Sequence, residues 1–166
     1  IGIPTLSDYF DKKGLEDVVV VAPHNGAVGR ARKMAKLLNA PIALIDRRRP
    51  EPNASDIFEI IGNVAGKNAI IVDDLINTAT TQTLAANAIV EHGAKAVYAC
   101  CTHAVLSQSA VQKIESSAIQ ELVITNTIEQ TEEKRINKIT MLSVAPLLAD
   151  AIDRIHNERA VSPLFE

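Results

Sequence analysis

Short β-branched runs alternate with amphipathic stretches along nearly the whole chain, and this alternation constrains the fold more than any single motif. Val18 to Ala22 reads as a buried strand, ended by Pro23 and Gly26. From Ala27 to Leu38 the apolar residues Val28, Ala31, Met34, Ala35, Leu37 and Leu38 recur at helical spacing, with Arg and Lys between them. "APIALID" reads as a second strand ending at Asp46, and "NAIIVDD" as a third after the Gly66-Lys67 turn. "KAVYACCTH" and "ELVITN" supply two more. Thr81 to Glu91, Ser107 to Ile114 and Ser143 to His156 are helical in pattern. His92-Gly93 closes the first of these, and Ser143 with Pro146 opens the last. The order predicts an α/β fold, an open parallel sheet of about five strands with helices on both faces. Between the second and third strands, "RRRPEPN" predicts a loop, because three arginines, two prolines and an asparagine do not pack.

Parallel sheets of this kind bind ligands beyond the carboxyl ends of their strands, at a topological switch point. That directs attention to "APHNGA", "IDRRRP", "VDDLINTATT", "CCTHAVLS" and "ITNTIE". In the third of these, Asp73 and Asp74 close an apolar run and are placed to accept hydrogen bonds from two sugar hydroxyls. A phosphate would sit beyond them, where the next helix begins with free backbone N–H groups and the positive end of its dipole. Thr78, Thr80 and Thr81 would add hydroxyl donors. On spacing alone the same residues also read as a solvated strand end followed by a helix cap, and both readings stand.

Composition narrows the partners. A chain of 166 residues with 47% hydrophobic and 22% charged side chains is one domain with a real core. A net charge of −3 and a pI near 5.8 argue against nucleic acid as a partner. No apolar stretch approaches the roughly 20 residues that span a bilayer, and no basic start leads into an apolar signal segment. The local cluster Arg47, Arg48, Arg49 asks instead for a small anionic ligand. Cys100 and Cys101 are neighbours on a strand, so they face opposite sides as buried small hydrophobes, which fits a reducing cytoplasm. The chain starts at Ile1 and not at methionine, as a piece of a longer protein would.

"VDDLINTATT", with "IALIDRRRPEPN" before it and "GAKAVYACCTHAVLS" after it, resembles the C-terminal half of ribose-phosphate pyrophosphokinase, the PRPP synthetase family. The likeness runs nearly end to end, from "IPTLSDYF" to "AVSPLFE". It implies that residues 1–166 form a type I phosphoribosyltransferase-like domain that binds ribose 5-phosphate, and that a preceding domain with much of the ATP site lies outside this chain. The implied reaction transfers the β,γ-diphosphate of ATP to the anomeric hydroxyl of ribose 5-phosphate, with magnesium, in nucleotide precursor synthesis. Homo-oligomers, commonly hexamers, are implied too.

Residue by residue, the family's Asp-Asp-x-x-Asp-Thr-Ala-Gly-Thr loop falls on Asp73, Asp74, Asn77, Thr78, Ala79, Thr80 and Thr81, the implied ribose 5-phosphate set. Asn77 replaces an acid and Thr80 a glycine. If Thr80 had to take the positive φ that glycine permits, the strain would cost on the order of 1–3 kcal/mol. The family's Lys-Arg-Arg-Pro falls on Arg47, Arg48, Arg49 and Pro50, which gives Arg47 and Arg49 the catalytic task of stabilising phosphoryl charge. His24 stands at an acid that helps to hold magnesium, and imidazole is a poor substitute for a hard oxygen ligand. The family's Thr-His-x-x-x-Ser-Gly-Pro appears as Thr102, His103, Ala104, Val105, Leu106, Ser107, Gln108 and Ser109, with Ser107 read as a helix cap. The substitutions leave two readings, a synthetase impaired at its site and a paralogue that keeps the fold but acts as a regulatory or structural subunit.

Overall fold

The computed structural model describes residues 2–48 and 57–164. Its main elements are α1 (Ile3–Lys13), β1 (Val18–Ala22), α2 (Val28–Leu37), β2 (Ile42–Arg48), β3 (Ile57–Ile61), β4 (Asn68–Ile76), α3 (Thr80–Glu91), β5 (Ala96–Ala104), α4 (Ala110–Ser116), β6 (Ile119–Thr125), β7 (Ile139–Leu142) and α5 (Ala145–His156). The seven strands form one sheet in the order β3-β2-β1-β4-β5-β6-β7. Every neighbouring pair is parallel except β2 and β3.

The five expected strands are the centre of this sheet, and the two others are its edges. β7 is a short strand of "ITML", nowhere fully buried, so it carries little of the apolar run that marks a central strand. β3 pairs antiparallel with β2 and places Phe58 opposite Arg47 and Ile57 opposite Arg48. This corrects the loop reading at Arg47 and Arg48, while the rest of that segment, 49–53, lies outside the described residues. β2 continues from Leu44 to Arg48 beyond its last pairing with β1. An antiparallel partner supplies ladder hydrogen bonds whatever the side chains are, so the polarity of "RR" does not end the strand.

Both faces of the sheet are covered, as a parallel sheet requires. Period-two alternation sorts β1 cleanly, with Val19 and Val21 in one core layer and Val20 and Ala22 in the other. α3 and α4 cover the first layer with Ala85, Ala86, Ile89, Ala110, Val111 and Ile114. α1 and α2 cover the second with Ile3, Leu6, Phe10, Ala31, Met34 and Ala35. α1 begins with Pro4 in its first turn and stops at Gly14, whose φ of 66° is the left-handed cap that glycine adopts without strain. Cys101 and Cys100 fall on opposite layers, as neighbours on a strand must, and both thiols are free. Burial pushes the Cys100 thiol well above its ordinary range and Cys101 to about 12, so neither is a reactive thiolate.

α5 differs from the other helices. None of its residues is buried, and Leu148, Ile152 and Ile155 are 57%, 67% and 66% exposed. It begins at Ala145, two residues later than the sequence reading, with Val144 and not Ser143 at the cap position, although the Ala145 amide does donate to Ser143 Oγ at 3.2 Å. Among the described residues no helix is long and apolar enough to cross a membrane.

α1 is pinned to the far edge of the sheet by one carboxylate. Tyr9 Oη and Thr140 Oγ1 each donate to Glu121 Oε1 at 2.6 Å, and Lys13 Nζ lies 3.0 Å from Oε2. The lysine contact is an ion pair by distance only, since Oε2 has no hydrogen bond of good angle. Burial alone would raise the Glu121 pKa, but the hydrogen bonds from Thr140 and Tyr9 and the charge of Lys13 outweigh it and hold the group below its ordinary range. A depressed folded-state pKa gives stability that is present above the unfolded value and is lost as pH falls through the folded one. Glu121→Gln should therefore cost about 1–3 kcal/mol near neutral pH, and the gap from the parent should narrow on acidification below about pH 4. Thermal denaturation of both proteins across that range checks it.

Candidate functional site

In the strand order, β1 has β2 on one side and β4 on the other, and the chain reverses direction across the sheet between β1 and β4. The loops after these two strands meet at that switch point. They enclose a cleft of about 280 Å³ lined by His24, Asp73, Asp74, Leu75 and residues 77–82. A larger depression of about 400 Å³ lies at the amino ends of the strands, around Asn68 and Lys95. We place the candidate site at the smaller one, because ligands of parallel sheets sit beyond the carboxyl ends.

Asp73 anchors the cleft. It is 4% exposed, and a carboxylate that deep must be hydrogen-bonded to stay ionised. Its Oδ2 accepts from His24 Nε2 at 3.1 Å and from Gln82 Nε2 at 3.0 Å, while Oδ1 accepts from the Asp74 amide at 2.9 Å. One side chain thus joins the loop after β1, the end of β4 and the first turn of α3. Asp74 faces outward and pairs with Arg30 on α2, whose Nη1 also donates to Gly26 O at 2.9 Å and lies 3.9 Å from Asp73 Oδ1. Partial burial raises the Asp74 pKa, but the hydrogen bond and charge of Arg30 override it, so the carboxylate stays ionised below its usual range.

The turn from Asn77 to Thr81 leads into α3. Ala79 takes the left-handed conformation, with φ 58° and ψ 4°, while Thr80 is the first residue of the helix. The strain expected at Thr80 is therefore absent; the positive φ falls one residue earlier, on Ala79, which has no branch at Cβ. Thr80 and its neighbours Thr81 and Gln82 open the helix with amides that find no acceptor among the described residues, an arrangement that favours an anion. Thr80 Oγ1 sits 3.2 Å from Thr78 Oγ1 and accepts from Lys113 Nζ at 2.8 Å.

The loop after β5 fastens this turn from behind. Val105 and Leu106 amides both donate to Ile76 O, at 3.0 and 3.2 Å, and the Ser107 amide donates to Asn77 O at 2.9 Å. Ser107 Oγ donates to Asn77 Oδ1 at 2.5 Å, so its side chain holds Asn77, and α4 starts only at Ala110. The reading of Ser107 as a side-chain helix cap is corrected accordingly. Leu106 and Gln108 both have positive φ, 49° and 53°.

Of the sequence-predicted residues, His24, Asp73, Asp74, Asn77, Thr78, Ala79, Thr80 and Thr81 line one cleft. Arg47 lies on the part of β2 that extends beyond β1, and Arg49 lies outside the described residues. Arg30, Gln82 and Lys113 were missed, since nothing in their local sequence marks them; the packing of α3 brings Gln82 into the lining, and that of α2 and α4 brings Arg30 and Lys113 onto the lining residues Asp74 and Thr80. Magnesium, implied by the family resemblance, asks for several free hard oxygen ligands. Here both Asp73 oxygens are occupied by protein donors, Asp74 is paired, and His24 turns Nε2 onto Asp73. No group of three or more metal-binding side chains that could hold an ion occurs among the described residues. The described side chains of this cleft do not fit a magnesium ion.

The profile of the phosphoribosyl synthetase-associated domain matches residues 50–166. The chain belongs to the ribose-phosphate pyrophosphokinase, or PRPP synthetase, family. It is similar to the ribose-phosphate pyrophosphokinase of Halalkalibacterium halodurans, with 61% identity over all of this chain and 52% of the relative. The Bacillus subtilis protein of the same name is 58% identical over 99% of this chain and 52% of its own length. The chain thus spans about half the length of the curated relatives it matches. A crystal structure of phosphoribosylpyrophosphate synthetase from Mycobacterium smegmatis superposes with a TM-score of 0.84 at 37% identity, covering 95% of this chain and 51% of that one. Purine phosphoribosyltransferase from Pyrococcus horikoshii, at 16% identity and a TM-score of 0.52 over 86% of this chain and 84% of its own, shares the fold.

Within the synthetase family's Ser-Gly-Pro stretch, Gln108 occupies the glycine position with φ 53°. Gln108→Gly should raise stability by about 1 kcal/mol, as relief of left-handed strain outweighs the greater freedom of glycine in the unfolded chain. Denaturant melts of the two proteins test this.

Proposed function

We propose that the cleft binds ribose 5-phosphate as the sugar-phosphate half of a ribose-phosphate diphosphokinase site. The observation that carries the reading is the adjacency of a carboxylate pair, Asp73 and Asp74, to a helix start with unpaired amides and three threonine hydroxyls. Asp74 accepts from the ribose hydroxyls, with Asp73 behind it fixing its backbone through the Asp74 amide. The turn from Asn77 to Thr81 takes the 5-phosphate. In the full reaction the anomeric oxygen attacks the β-phosphorus of ATP, the bond between the α- and β-phosphates breaks, the hydroxyl proton is lost and AMP leaves. Arg47, on β2, and Arg49 stabilise the charge on the transferring phosphates, and most of the ATP site comes from the part of the protein beyond this chain. Turnover is impaired, because the acids the family places at positions 24 and 77 are His24 and Asn77. We propose a cytoplasmic homo-oligomer, for which the exposed apolar stripe of α5 and the two buried free thiols are supporting features.

A second reading, a regulatory or structural subunit without turnover, is favoured by one observation. Both oxygens of Asp73 are committed to the protein, and among the described residues no side-chain set fits the magnesium ion. Calorimetric titration of ribose 5-phosphate, with and without magnesium, is the test of the binding proposal. The expected result is saturable binding near micromolar strength, about −8 kcal/mol, unchanged by magnesium. Absence of saturable binding overturns the proposal, and an affinity that needs magnesium overturns the fit argument. Binding without release of AMP from ATP added to the full-length protein selects the regulatory reading over the enzymatic one.

A further inference from the structure

We propose that Lys113 is the phosphate-recognising cation of the cleft and that Thr80 holds it in place; the proposal rests on the sugar-phosphate reading above. Lys113 lies on α4, far from the loop in sequence, yet its Nζ donates to Thr80 Oγ1 at 2.8 Å and to Thr78 O at 3.5 Å. Three features make this contact more than a surface lysine bonding to a nearby oxygen. Its partners are both loop residues on the anion side of the cleft, while Asp73 and Asp74 stand on the other. No carboxylate lies within ion-pair distance of Lys113 among the described residues, so none of these balances its charge. An ammonium has three donors and two are used, leaving one for a ligand.

The chemistry of the hydroxyls extends the argument. Because Lys113 donates into Thr80 Oγ1, the Thr80 proton is free to point onward, and Thr78 Oγ1 is 3.2 Å away. Thr78 can then turn its own proton towards the cleft. A chain of donors starting from a cation is polarised in one direction, which strengthens its last member towards an anion. The glycine that the family pattern has at position 80 offers no oxygen to hold the ammonium. Thr80 therefore gives the loop a tethered cation where the family pattern has open space, and the ligand class that fits is a phosphate monoester.

The test titrates ribose 5-phosphate and, separately, inorganic phosphate into the protein and its Lys113→Met and Lys113→Arg variants. A charge-assisted contact to phosphate predicts roughly ten- to hundredfold weaker binding for Lys113→Met, with Lys113→Arg keeping most of the affinity. The salt dependence of binding should also flatten in Lys113→Met, a readout that a merely structural lysine would not move. Thermal melts accompany the titrations, and Lys113→Gln takes the place of the methionine variant if that one does not fold. Parental affinity in the neutral variant overturns the proposal. If the parent binds inorganic phosphate but not ribose 5-phosphate, the sugar reading falls, and the comparison of variants on phosphate alone decides for or against Lys113. If the parent binds neither, both proposals fall.

Discussion

A buried carboxylate organises this end of the molecule. Taking an ionised group such as Asp73 out of water costs several kcal/mol unless donors replace the lost hydration. The donors come from three places, His24 after β1, the backbone of β4 and Gln82 on α3. Meeting that requirement fixes how the loops after β1 and β4 approach each other and where α3 starts. The cleft is a consequence: its floor is the hydrogen-bonded carboxylate and its wall is the helix start. Removing a single donor would leave charge unsatisfied in the floor, so these positions are coupled, and substitutions among them are not additive.

The same logic holds for the turn itself. Ala79, Leu106 and Gln108 sit in a left-handed conformation that ordinary residues adopt at a cost of order 1–3 kcal/mol. Two short segments that each carry such strain would not hold their shape alone. They hold it together, because Ile76 O accepts from two amides of the loop after β5 and Asn77 is held through both its backbone and its side chain by Ser107. The substitution of Asn77 for an acid suits this arrangement, since Ser107 Oγ reaches Asn77 Oδ1 and no third negative charge is added beside Asp73 and Asp74.

The central strands and the cleft-lining loop were legible in the sequence because their signals are local: β-branched runs, helical spacing and a run of acids and threonines at a strand end. β3 was not, since the arginines and prolines before it look like the end of order, and antiparallel pairing at an edge depends on backbone hydrogen bonds that leave no apolar pattern. α1 and β7 carry too few large apolar residues in a row to announce themselves, and β7 is fixed mainly by its pairing with β6. The misplaced strain at Thr80 has a different cause. A missing glycine says that some residue nearby must bend, but which one depends on where the helix begins, and that is set by the packing of α3. Arg30, Gln82 and Lys113 belong to helices whose local sequence is ordinary, and only tertiary proximity gives them their roles.

Charge gives the last step. The family pattern gathers acids at this site, and acids that hold a cation also repel a phosphate when the cation is absent. In this chain the balance is different, because His24 and Asn77 stand where two of those acids would be. The carboxylates that remain, Asp73 and Asp74, face Arg30, while Lys113 stands against the turn with no carboxylate within ion-pair distance among the described residues. The Arg30–Asp74 pair is largely exposed on the acid side and contributes no more than about 1 kcal/mol. On the proposed reading the cleft is thus close to neutral without a metal, with its acids at the sugar end and its cation at the phosphate end. That polarity matches the two ends of a pentose 5-phosphate, and it arises from the very substitutions that, read one at a time, look like losses.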